Sequence, residues 1–209
     1  PARDRIFARI RHNLGRGPLP ETEVNALKAR IEGHAPHTIP TRTAIARKKQ
    51  VDLFQEKAEA LAATVARVPS LEDVPEAVRD YLAAHNLSTR IKMAPDTRGA
   101  ATPEDEVSLT PAFTGIAETG TLCMASGPET PSTLNFLPEN HVVVIRKSQI
   151  TGTMEDSWAQ LRTKFGEGNL PRTINFISGP SRTGDIEQTL IMGAHGPRRL
   201  HILIVDDEK

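Results

Sequence analysis

The chain has 209 residues, with 26 lysines and arginines balanced by 26 aspartates and glutamates. That length suffices for one domain with a real core plus an appendage, and the balance removes any whole-chain charge argument for nucleic acid or membrane. Residues 1–50 hold 11 basic and 4 acidic residues against 15 and 22 in the remainder, so a basic N-terminal segment joins an acidic body. Few aromatics interleave with those basic residues, which argues against a nucleic-acid arm and for a helix layer or a partner-docking arm.

Cys123 is the one cysteine. Intrachain disulfides, four-thiolate zinc sites and a self-contained iron–sulfur cluster are therefore excluded, and a reducing cytoplasm is the expected compartment. The opening P-A-R-D-R-I-F is charged from Arg3 with no apolar leader behind it. No run approaches the roughly 20 apolar residues of a membrane span.

In chain order, Arg3 to Leu14 reads as a helix with Ile6, Phe7, Ile10 and Leu14 on one side, stopped by G-R-G-P-L-P. A second helix over Glu21–Glu32 carries Val24, Leu27 and Ile31, and an extended linker follows to Pro40. Residues 1–40 thus read as a basic helical arm and linker, and residues 41–209 as an α/β domain. Thr43–Val68 reads as one long helix, because Val51, Phe54, Ala58, Leu61 and Val65 recur at spacings of three and four. A helix over Pro75–His85 and a strand over Thr89–Met93 come next, the helix with proline in its tolerated first turn.

Short strands are expected at Val107–Thr110, Phe113–Ala117 and Thr121–Ala125, then a doubly buried strand at His141–Ile145, H-V-V-V-I. A helix over Met154–Phe165, a strand over Thr173–Ile177, a helix over Thr183–Met192 and a strand over Leu200–Val205 complete a β-α-β-α-β alternation. The pattern predicts an α/β fold with a three-layer arrangement, a mostly parallel sheet flanked by helices.

Chemistry concentrates in a few turns. S-G-P-S-R-T-G-D-I-E, Ser178 to Glu187, should place Gly179, Ser181, Arg182 and Thr183 at a helix N-terminus beyond a strand's carboxyl end, a setting suited to a small anion. Ser181 or Thr183 would equally serve as a plain helix cap, with Asp185 and Glu187 at its positive end. In G-I-A-E-T-G-T-L, Glu118 can be a nucleophile, a general base or a hydrogen-bond acceptor, or simply a solvated or arginine-paired turn glutamate. Gly120 and Thr121 beside it would let a ligand approach the backbone. The polar turn Ser126–Thr133 is a further candidate wall of the same cleft. His195, in G-A-H-G-P next to Gly196, either donates to a backbone carbonyl or reaches the ligand as acid, base or anion donor, and His141 carries the same two readings. Cys123, in an apolar strand, reads as an inert core thiol. No paired-histidine, C-x-x-C or paired-acid motif appears, so no dedicated metal is expected.

The stretches A-E-T-G-T-L (117–122), L-P-E-N-H-V-V-V (137–144), S-G-P-S-R-T-G-D-I-E (178–187) and G-A-H-G-P-R-R-L-H-I (193–202), with the opening R-D-R-I-F…N-L-G-R, resemble the lactate-utilisation protein C (LutC/YkgG) family of LUD-domain proteins. One departure is Gly184, where that family usually has alanine; it should loosen the expected helix start by up to about 1 kcal/mol. The resemblance implies a NagB/RpiA/CoA-transferase-like α/β fold with an N-terminal helical extension. It also implies a cytoplasmic role in oxidising L-lactate to pyruvate beside two cysteine-rich iron–sulfur companion proteins, with this chain a non-cluster subunit that binds a small anionic substrate or cofactor. The identity of that cofactor and whether this chain is itself the enzyme stay open. The alternative is a free-standing enzyme on a phosphorylated or CoA-thioester substrate, with Glu118 as nucleophile.

Overall fold

The computed structural model describes residues 2–207 apart from Arg16, His37, residues 95–100, Pro103, Glu167, residues 185–189 and Ala194, with backbone alone at 183, 184 and 190–192. The chain divides into two compact units, residues 1–38 and 39–209. The first holds α1 (Ala2–Asn13) and α2 (Glu21–Glu32), the two helices expected from the periodicity. Neither buries a residue, and Ile6, Phe7, Ile10, Leu14, Leu27 and Ile31 are all exposed.

The second unit begins with α3 (Arg47–Ala60), which runs into β1 (Thr64–Val68). The long helix expected over Thr43–Val68 is thus two elements. It ends because Ala62 adopts a left-handed conformation, φ 67°. The N–H of Ala62 then bonds the carbonyl of Glu59 at 2.9 Å, and that of Ala63 bonds Ala58 at 3.1 Å. This is a Schellman ending, a geometry usually given to glycine. With no glycine or proline to mark it, Leu61 and Val65 continued the helical stripe only by coincidence of spacing, while the β-branched Thr64, Val65 and Val68 suit a strand.

The remaining elements are α4 (Val74–Ala84), β2 (Ile91–Met93), β3 (Val107–Pro111), β4 (Thr114–Ile116), β5 (Thr121–Ala125), β6 (Asn140–Arg146), β7 (Ile150–Thr151), α5 (Met154–Phe165), β8 (Ile174–Ile177), β9 (Arg182–Gly184), β10 (Leu190–Met192) and β11 (Arg199–Val205). Five strands in the order β1-β11-β6-β3-β2 form a sheet in which every pair is parallel. The expected parallel α/β sheet is present. Beside it stands a second sheet, β7-β4-β5-β8, in which β5 runs antiparallel to both neighbours.

Alternation along the central strands explains the layering. Leu200, Ile202 and Ile204 of β11 with Val143 and Ile145 of β6 share one core with Val51, Phe54 and Ala58 of α3 and with Leu122, Met124 and Ile150 of the second sheet. The intervening Leu203, Val205 and Val142 share the other core with Val74, Val78, Tyr81 and Leu82 of α4. The H-V-V-V-I run is apolar throughout because both of its faces are covered. The β1-to-β2 connection crosses the sheet through α4 on one face, while the path β3, β6, β11 returns with the second sheet on the other. Opposite directions on opposite faces keep one crossover hand.

The helix expected over Thr183–Met192 is not formed at its ends. Arg182–Gly184 pairs antiparallel with Leu190–Met192 as β9 and β10, and residues 185–189, including the capping candidates Asp185 and Glu187, lie outside those described. β8 belongs to the second sheet and β11 to the first, so the strands expected over Thr173–Ile177 and Leu200–Val205 do not share one sheet, and Gly184 starts no helix at the described residues.

Replacing Ala62 with glycine should raise stability by about 1 kcal/mol, since it removes the side-chain penalty of the left-handed conformation. Urea unfolding of Ala62→Gly checks this, and a loss of stability would contradict the Schellman ending.

Candidate functional site

The sequence-predicted residues gather around the last turn of α3. Gly120 has φ 65°, and a Cβ there would lie 2.3 Å from the backbone nitrogen of Ala58. Gly179 has φ 81°, and a Cβ there would lie 2.4 Å from the carbonyl oxygen of Leu61. The lack of a side chain at 120 and 179 therefore admits the backbone at the end of α3, which fills the space a ligand was expected to use. Arg182 Nη2 donates to the same Leu61 carbonyl, a favourable place for a cation because helix C-termini carry partial negative charge.

Between these glycines runs a line of hydroxyls. Thr119 Oγ1 lies 2.7 Å from Thr121 Oγ1, and Thr121 Oγ1 lies 2.7 Å from Ser178 Oγ. Thr121, in the middle, is buried, while Thr119 and Ser178 at the two ends are exposed. Thr119 and Ser178 were not singled out from the sequence. Ser178 stands inside the S-G-P-S stretch, but its partner is 57 residues away.

The second turn packs on the first. Ser181 N–H donates to the carbonyl of Pro197 at 2.8 Å, Gly193 N–H donates to that of Ser181 at 3.0 Å, and His195 N–H donates to Ser181 Oγ at 3.3 Å. Gly196 lies against Ser181 and the ring of Phe136. The His195 side chain is exposed. Gly120, Thr121, Gly179, Ser181, Arg182, His195 and Gly196 thus form one connected patch, and Thr183 follows on β9. The patch lies where β11 begins, at the amino end of the parallel sheet, and not beyond a carboxyl end of that sheet as expected. The strand it follows, β8, belongs to the other sheet.

Glu118 is differently employed. Its Oε1 accepts from the N–H of Met154 at 2.8 Å, at the start of α5, where Thr153 and Asp156 also form a capping box. A carboxylate there satisfies an orphan donor and meets the helix dipole. The Ser126–Thr133 turn does not share the patch. β5 pairs antiparallel with β8 so that Leu122 faces Ile177 and Ala125 faces Ile174, which puts Ser126 and Ser178 at opposite ends of β5, about 15 Å apart at strand rise.

His141 and His201 are built into the sheet. His141 Nε2 lies 2.7 Å from Thr110 Oγ1, while its buried Nδ1 has no hydrogen-bond partner among the described residues. His201 Nδ1 lies 2.8 Å from Thr64 Oγ1, and its ring stacks on Tyr81 at 4.0 Å. Cys123 is buried, and burial raises its thiol pKa. Among the described residues, no three His, Cys, Asp or Glu side chains cluster as a metal site, and no helix is long and apolar enough to cross a membrane.

Comparison with known proteins attaches to this half of the chain. Residues 104–205, from just before β3 through β11, match the LUD domain family. Over that stretch the chain is similar to LUD-domain proteins. The same chain is 37% identical over 103 residues to lactate utilization protein C of Shouchella clausii, covering 49% of this chain and 45% of that protein. It is 39% identical over 93 residues to lactate utilization protein C of a Geobacillus species, covering 44% and 39%. These matches span less than half of each relative's own length. A DUF162 family protein from Deinococcus radiodurans shares the fold, with TM-score 0.57 and 20% identity over 77% of this chain and 99% of that one.

The two sheet histidines give this domain a pH dependence. Burial pushes His141 down to about 3. Burial, then repulsion from His85, pushes His201 down to about 4. In the unfolded chain both titrate near 6.5. Below that value the unfolded state binds more protons, so stability falls as pH drops from about 6.5 towards 4, by up to about 1.4 kcal/mol per pH unit for each histidine. Urea unfolding at about pH 7 and about pH 5 should show the loss, and His141→Gln should reduce it. A variant that loses as much stability between about pH 7 and about pH 5 as the parent would contradict the assignment to His141.

Proposed function

We propose that this domain serves lactate utilisation as the cluster-free component of an L-lactate-oxidising system in the cytoplasm. The observation that carries the reading is the similarity of residues in and around 104–205 to proteins named lactate utilization protein C. The composition supports a division of labour. Oxidation of lactate to pyruvate releases two electrons and two protons, and a chain with one buried cysteine has no four-thiolate cluster of its own to accept electrons. Two cysteine-rich iron–sulfur companions take them in this reading, and this chain contributes binding and proton transfer.

The patch at the amino end of β11 is the proposed anion site. Arg182 offers a guanidinium with five donors, one of which goes to Leu61 among the described residues, and its fork matches a carboxylate. His195 is exposed beside it in the chain of contacts through Ser181, free to exchange a proton with the lactate hydroxyl. Glu118 fits a helix-capping role better than a nucleophile, since its carboxylate already holds the Met154 N–H. The basic N-terminal unit, with its uncovered apolar residues, is the proposed companion-docking element.

Reconstitution tests this. Lactate oxidation by the purified companions should require this chain. Arg182→Ala and His195→Ala should each lower the rate roughly tenfold to a hundredfold at unchanged protein level, and removal of residues 1–38 should abolish co-purification. Full rates with both point variants would remove the site, and full rates without the chain would remove the function.

A further inference from the structure

A second opening lies at the far end of the second sheet. Where β3 leaves the parallel sheet at Pro111 and the chain crosses to β4, there is a cavity of about 450 Å³, within the range of about 300–1,000 Å³ common for small-molecule sites. It stands at the carboxyl end of β3, the side of a parallel sheet on which ligands usually bind. None of the residues assigned to the anion site lines it.

Its chemistry is specific. Pro111, Phe113 and Phe165 give an apolar floor, the two phenylalanine rings tilted with centroids 5.8 Å apart. The neighbouring hydroxyls are committed to the frame: Ser126 Oγ accepts from the N–H of Thr173 at 3.0 Å, and Thr130 Oγ1 donates to the carbonyl of Ala125 at 3.0 Å. Two charged residues remain on the lining, Lys164 from the last turn of α5 and Glu129 from the Gly127–Thr130 turn. Among the described residues they form no ion pair with each other. A cavity that holds opposite charges apart over an apolar floor repels a singly charged apolar ligand with one group while attracting it with the other. A zwitterion with an apolar side chain satisfies both.

We propose that this cavity binds an apolar α-amino acid, with Lys164 meeting its carboxylate, Glu129 its ammonium and the Phe113–Phe165 floor its side chain. The site is independent of the lactate reading and would give this chain a second ligand, chemically distinct from a hydroxy acid.

Isothermal titration of the full chain tests it, with L-phenylalanine and L-leucine as probes and phenylacetate and phenethylamine as single-charge controls. Both amino acids should bind saturably at one site, and each control should bind roughly fivefold or more weakly. Lys164→Gln and Glu129→Gln, at exposed positions that leave the fold intact, should each weaken phenylalanine by a similar factor. Arg182→Ala should leave phenylalanine binding unchanged, which separates this cavity from the anion site. No binding of either amino acid at millimolar concentration overturns the proposal. So does phenylacetate binding as tightly as phenylalanine with Glu129→Gln silent.

Discussion

The last turn of α3 is the constraint on which the rest of the domain depends. Ala62 turns the chain out of the helix and into β1 within two residues. Two loops of the second sheet, at Gly120 and Gly179, press their backbones onto that turn more closely than any side chain would allow, and Arg182 closes over the exposed Leu61 carbonyl. One helix end thereby fixes where β5 begins and where β8 ends. It also brings A-E-T-G-T-L and S-G-P-S-R-T, separated by some sixty residues, into one patch.

Much of this was legible in the residues, and the failures share a cause. The H-V-V-V-I run announced a doubly covered strand, and Met154–Phe165 announced its helix by spacing. Local signals were enough for both. The α3–β1 boundary was hidden because an alanine occupies the position that glycine would have marked. The Arg182–Gly184 strand was hidden because its partner, Leu190–Met192, reaches it only through the fold, while its polar residues imitate a helix start. For Glu118 the residues left several roles open, because a carboxylate among glycines is chemically suggestive. Its actual partner, the Met154 N–H, is 36 residues away. What sequence could not supply in each case was a contact between distant segments.

The molecule consequently presents chemistry at both ends of its sheets. The amino end of β11 carries the arginine, histidine and hydroxyls quoted from the sequence, and the carboxyl end of β3 carries an apolar cavity with two charges, one of them from the Ser126–Thr133 turn. The similarity to lactate utilization proteins bears on the family of the domain and on its proposed role. The two ends differ in the ligand charge they would accept.

The position of β11 has a consequence for how the chain comes to be folded at all. It is the last strand in sequence yet sits inside the parallel sheet, between β1 and β6, and Thr64 meets His201 across 137 residues. Both cores take residues from it. A nascent chain still emerging from the ribosome lacks the strand that joins its two halves, so neither core can close until synthesis has passed Val205. Pairing at such separation is entropically costly and slow, and the edges of β1 and β6 stay open in the meantime, the state in which a partly made protein most needs protection from its neighbours.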